Sequence, residues 1–213
     1  MKKFGIVFGI LAVIGVVVVL MVLIAIAMCA SSYNRLVALS QNADSKWAQV
    51  ESVYQRRADL IPNLVATVSG AANFEKSTLV EVTQARASVG KVQINATTAP
   101  TEAGQLAQFD QAQGQLSSAL SHLMVVVERY PDLTATENFR DLQAQLEGTE
   151  NRIAVARMDF NQAVQDYDTA INSFPAVLYA GAMHFHEKPY FSATPGAETA
   201  PKVQFNFNGA TTN

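Results

Sequence analysis

Cysteine occurs once in this 213-residue chain, at Cys29, which excludes an internal disulfide and any zinc site built from several thiolates. Histidine occurs 3 times, leaving little material for metal chemistry. Charge is scarce as well. Asp, Glu, Lys and Arg make up only 15% of the chain, with 15 bases against 18 acids and a net of -3, so no basic field invites nucleic acid. The 49% of hydrophobic residues excludes a solvating, disordered chain. Glycine (11) and proline (7) are sparse where Ala, Gln and Val abound, a helical bias. No glycine-rich phosphate loop, nucleophile elbow or His-Glu-x-x-His pattern occurs, nor the Glu-x-x-His pairs of di-iron bundles. Neither a catalytic residue nor a cofactor is expected.

The missing charge is concentrated at one end. Phe4 to Ala30 is a 27-residue run without a charged side chain. A spanning helix needs about 20 such residues, whereas a signal-peptide core has about 7–15. A lipoprotein box at Ile26-Ala27-Met28-Cys29 is the weaker alternative, because Met28 stands where a small residue is wanted. Lys2 and Lys3 precede the run, and beyond it 13 bases face 18 acids, with Arg35 and Lys46 thinly spread near the membrane. The positive-inside rule then places the N-terminus in the cytoplasm and the rest outside it. Gly5 and Gly9 have a small-xxx-small spacing that allows close helix packing.

Beyond the run, apolar residues recur at helical spacing. The first seam is Leu36, Ala43, Trp47, Val50, Tyr54, Ile61, Leu64 and Val68, with Pro62 able to kink or interrupt it. Ser69-Gly70-Ala71-Ala72 suits a reversal, although one bent helix through this point is also compatible with the phase. A second seam has Leu79, Val82, Ala85 and Val89 and dissolves into a loop at Asn95-Ala96-Thr97-Thr98-Ala99-Pro100. A third has Leu106, Phe109, Leu116, Leu120, Leu123, Val127 and Tyr130, and Pro131 stops it. Thr134 and Glu137 then read as a capping box. The fourth runs Phe139, Leu142, Leu146, Thr149, Ile153, Ala156, Phe160, Ala163, Tyr167, Ile171 and Phe174.

The fold class is therefore all-α: an N-terminal transmembrane helix continuing into an antiparallel up-down four-helix bundle, with an irregular C-terminal tail. The expected divisions are a basic tail at 1–3, the anchor at 4–30, the bundle at 31–175 and the tail at 176–213. In the tail, Val203, Phe205 and Phe207 alternate like a short strand that needs a partner, such as a neighbouring subunit. The up-down order brings the end of the fourth helix back to the membrane, where Tyr179, Phe185, Tyr190 and Phe191 beside Lys188 suit the interface; packing against the bundle base is the alternative.

Seam positions occupied by polar residues define one candidate site. Arg57, Arg86, Gln113 and Thr149 fall at matching heights, and Glu147 or Glu150 is the expected counter-charge for the arginines. Such a layer would fix helix register or bind an anionic ligand; the competing reading has both arginines extending their heads into water. His184, His186 and Glu187 could hold a metal, but histidines on a polar tail are ordinarily solvated, and no metal is assigned. His122, between Leu120 and Leu123, reads as packed.

Two long blocks carry a resemblance. One is Gln55-Arg56-Arg57-Ala58-Asp59-Leu60-Ile61-Pro62-Asn63-Leu64-Val65; the other is Leu142-Gln143-Ala144-Gln145-Leu146-Glu147-Gly148-Thr149-Glu150-Asn151-Arg152-Ile153. Shorter matches are Tyr33-Asn34-Arg35-Leu36-Val37, Tyr130-Pro131-Asp132-Leu133, Phe160-Asn161 and Phe174-Pro175. Together they resemble the LemA family of bacterial single-pass membrane proteins over roughly residues 31 to 191. The resemblance implies an anchored four-helix bundle without a family-wide enzymatic activity. Two functions are expected from it: a homo-oligomeric envelope scaffold that organises or shapes membrane lipid, or an adaptor or receptor holding another envelope protein or a small anionic ligand.

Overall fold

The computed structural model describes residues 2–71, 74–92 and 98–192, with side chains from residue 13 onward. Among them every regular element is helical. The Gly5/Gly9 face, residues 95–97 of the expected loop, and Val203, Phe205 and Phe207 lie outside the described residues.

Helix α1 runs without a break from Lys2 to Ser69. It is long and apolar enough to cross a membrane, and from Val13 to Met28 its large apolar side chains stay 47–64% exposed. The same helix then becomes the spine of the domain: Leu36, Ala43, Trp47, Val50, Tyr54, Ile61, Leu64 and Val68 are all buried. Helices α2 (Lys76–Val89), α3 (Ala103–Val127), α4 (Pro131–Thr134) and α5 (Glu137–Ile171) follow, then two 3-10 turns at Ala176–Leu178 and Gly181–Met183. The principal pairings are α1 with α5 and α2 with α3.

Three apolar clusters fix relative heights. Ile61, Leu64 and Val68 of α1 meet Val82 of α2, Leu116 to Val127 of α3, and Phe139 and Leu146 of α5. Lower down, Trp47 and Tyr54 meet Leu106 and Phe109 of α3, Phe160 of α5, Ala99 and Phe191, with no α2 residue present. At the level of Leu36 only α1 and α5 remain, and Ala176 of the first 3-10 turn and Ala180 just before the second close the core. Helices α1 and α5 thus run in opposite directions while α3 runs with α1, compatible with the up-down order. The cause is length. At about 1.5 Å per residue, the 14 residues of α2 span about 21 Å and the 35 of α5 about 52 Å. The domain tapers from four helices to two toward the apolar run, and the C-terminal segment fills the gap.

Several local expectations need correction. Phe174 does not continue the α5 seam; the helix ends at Ile171 and Phe174 is 75% exposed. The cap of α5 is Thr136, whose hydroxyl accepts from Phe139 N–H, and not Thr134. Pro131 forces Tyr130 out of helical geometry (φ -121°, ψ 75°) and starts its own turn, which consumes Thr134. Phe191 and Lys188 are buried in the domain, so the expected interfacial group is divided. His122 lies on the surface and its Nδ1 meets Glu81 Oε2 at 2.9 Å.

Pro62 does not interrupt α1. It has no N–H to donate to Ala58 O, and that carbonyl instead accepts from Arg86 Nε of α2 at 3.0 Å. Arg86, expected in the buried layer, is therefore an exposed side chain that repairs the helix at its proline. Replacing Arg86 by Met should cost about 1 kcal/mol in denaturant unfolding. In a Pro62→Ala background, where an N–H is restored, the same change should cost almost nothing.

Candidate functional site

Arg57 is the largest charged group in the core, 1% exposed on α1. Its four Nη hydrogens are matched by four acceptors. Nη1 donates to Ser117 Oγ at 2.8 Å and to Glu150 Oε1 at 2.7 Å, and Nη2 to the Gln113 carbonyl at 3.3 Å and to Gln113 Oε1. The guanidinium also lies 5.0 Å from the centre of the Tyr54 ring. One side chain of α1 is thereby fastened to α3 and α5 together. The planar fork supplies directions that a lysine ammonium would not.

Of the polar residues singled out by seam position, the structure brings Arg57, Gln113 and Glu150 together. Thr149 is buried at the same height, but its hydroxyl donates to Gln145 O of its own helix at 2.7 Å. Glu147 faces outward and accepts from Gln143 Nε2 at 2.9 Å. Arg86 is occupied at Ala58. Among the other residues of the two long blocks, Gln55 donates to Asp59 across one exposed turn (2.7 Å), and the Asn63 carbonyl accepts from Thr67. Arg56, Gly148 and Arg152 border a shallow surface groove between α1 and α5, and Asn151 a neighbouring one. Tyr130 packs on Phe74 at 5.0 Å, Pro131 occupies the first turn of α4, and Asp132 adds an acid to that turn.

A cleft of about 830 Å³ opens beside Arg57, walled by Tyr54, Asp110, Ser117, Glu150, Arg157 and the chain at Pro189–Ser192. Its second arginine is matched too: Arg157 Nη1 meets Asp110 Oδ1 at 2.9 Å, and its guanidinium lies 4.3 Å from the Phe191 ring centre. Each cation in the cleft has its own carboxylate, so neither requires an external anion.

A second polar knot, missed in the sequence, holds the C-terminal segment. Asp44 Oδ1 accepts from Lys188 Nζ at 2.9 Å and from Ala99 N–H at 3.0 Å, tying that segment and the approach to α3 onto α1. Lys188 N–H donates to Asp168 Oδ1 at 3.2 Å. Burial raises the Asp168 carboxyl above its ordinary range, and desolvation together with that carboxylate pushes the Tyr190 phenol up to about 12. Asn161 clasps Phe191 in both directions, Nδ2 to its carbonyl and Oδ1 from its N–H, each at 2.9 Å. Phe191 then packs among Trp47, Phe109 and Phe160. Nothing in the spacing of Asp44 or Lys188 signals this, because the two lie 144 residues apart in the chain; Asn161 alone falls within a quoted family match. Near the tail, Glu187 accepts from Asn172, and among the described residues no group of three or more His, Cys, Asp or Glu converges.

These features define a class: a helical domain stapled by internal ion pairs and carried on a helix with the length and apolarity of a membrane span. The LemA family model matches residues 46–205, and the chain belongs to that family. It is similar to magnetosome protein MamQ 2 of Paramagnetospirillum magneticum, 28% identical over 86% of this chain and 73% of that protein. MamQ of Magnetospirillum gryphiswaldense is 25% identical over 78% and 67%. Protein LemA of Metamycoplasma hominis is 23% identical over 72% and 64%.

Glu150 is 48% exposed, so water can replace part of what its carboxylate gives Arg57. Replacing Glu150 by Gln should lower stability by about 2 kcal/mol, less than for a fully buried pair. Adding Arg57→Met and Gln113→Leu should recover part of the loss in the same denaturant titration, because no unpaired charge then remains inside.

Proposed function

We propose that this protein is a non-enzymatic, membrane-anchored scaffold of the bacterial envelope, an up-down four-helix bundle that forms homo-oligomers and organises or shapes membrane. The observation that carries the reading is the continuity of α1 from the apolar run through the whole core. A domain joined to its span without a linker holds a fixed orientation to the bilayer, and copies so held can register against one another. The pairing of Arg57 and Arg157 with internal carboxylates favours a structural duty over ligand capture. The proposal places the bundle outside the cytoplasmic face of the inner membrane, by the Lys2 and Lys3 flank. The MamQ relatives are named as magnetosome proteins, which supports a setting at a membrane for this chain as well.

The cleft beside Arg57 favours one second reading, an adaptor or receptor for another envelope protein or a small anion. Mass measurement after gentle detergent extraction separates the two. The scaffold gives a discrete assembly of several 23.0 kDa chains. A single copy that co-purifies with a different protein refutes it in favour of the adaptor.

A further inference from the structure

We propose that the turns after α5 form a second membrane contact, a lip of Phe174, Val177, Leu178 and Met183 that enters the near leaflet beside the span. The inference rests on the anchor reading above. These four side chains are 52–75% exposed although they are large and apolar, and they crowd into ten residues of chain. Water is a poor neighbour for such a cluster, and a contiguous apolar patch ordinarily marks a contact surface.

Its position names the occupant. Phe174 and Pro175 wall a groove together with Ile24, Ala27 and Met28, so the lip begins at the height of the apolar run itself. Tyr33 meets Phe185 at 5.6 Å a little farther along α1. The run has 27 residues where about 20 suffice for the hydrocarbon, which leaves about 7 residues, or about 10 Å of helix, within the interfacial zone. The groove at Ile24 to Met28 falls in that surplus when the span is counted from the N-terminal side. Arg35 borders the same groove farther out, where lipid phosphates would lie. The other side of the segment is already committed, since Ala176 and Ala180 are buried against Leu36, Tyr167 and Ile171. One face therefore seals the two-helix base of the domain and the opposite face is left for lipid.

The lip differs from the aromatic set expected from the sequence. Phe191 and Lys188 have turned inward, and the exposed group is mainly aliphatic. It would make the domain touch the bilayer at two points and set its tilt.

The test uses the full chain with Cys29→Ser, reconstituted in vesicles of phosphatidylcholine and phosphatidylglycerol at a 3:1 ratio. Nitroxide labels are placed one at a time at Leu178, Val177, Leu20 and Met158, and collision rates with oxygen and with a water-soluble nickel chelate are compared. Met158 is a control for exposure, being 65% exposed on α5. The lip predicts that oxygen collisions dominate at Leu178 and Val177, shifting their ratio several-fold from that at Met158 toward that at Leu20. A ratio at both sites equal to that at Met158, with Leu20 still in lipid, overturns the lip and leaves the anchor standing. Shielding from both reagents also overturns it, since protein then covers the segment. A water-exposed Leu20 removes the anchor reading itself.

Discussion

One unbroken helix organises this protein, and α2, α3, α5 and the C-terminal segment are each fastened to it by polar groups. Pro62 orphans the Ala58 carbonyl, and Arg86 brings α2 to it. Arg57 places its four Nη hydrogens on acceptors of α3 and α5, while its buried Nε–H is left without a partner. Lys46 meets Asp159 farther down α5, and Asp44 collects Lys188 and the Ala99 amide. Apolar burial supplies most of the driving force, but it is indifferent to sliding one helix along another. The polar ties are not indifferent, because a shift of one turn, about 5.4 Å, would leave a buried charge unpaired.

Unequal helix lengths explain the rest of the architecture. Helices α2 and α3 do not reach the level of Leu36, so a bare pair of helices would expose Tyr167, Ile171 and Leu36 near the apolar run. The C-terminal segment covers them with small residues, and then climbs to place Phe191 against Trp47, where α2 has already ended. That segment is as much a part of the core as the helices, although it contains no regular element longer than three residues.

The helices were legible because their seams are regular: every position of the first seam is buried, as are Leu106 to Val127 of the third. The Arg57–Gln113–Glu150 contact was legible for the same reason, since a polar residue inside an apolar seam must find partners. Arg86 was misplaced because seam phase does not record the distance to a neighbouring axis, and a long side chain at a seam edge can point elsewhere. The shift of the cap from Thr134 to Thr136 followed from a turn that Pro131 nucleates, a competition between two local signals. The C-terminal fastening was invisible, because Asp44, Asp168 and Lys188 carry meaning only once α1 and α5 lie side by side.

The central claim is that the span and the spine of the domain are one rigid helix, and a distance between spin labels tests it directly. Leu20 and Gln41 are both exposed on α1 and lie 21 residues apart, which is about 32 Å along a continuous helix. With Cys29→Ser and labels at these two positions in the reconstituted full chain, pulsed electron resonance should return a single narrow distribution centred near that separation. A broad distribution, or a dominant shorter distance, would mean a joint between membrane and domain and would contradict the account.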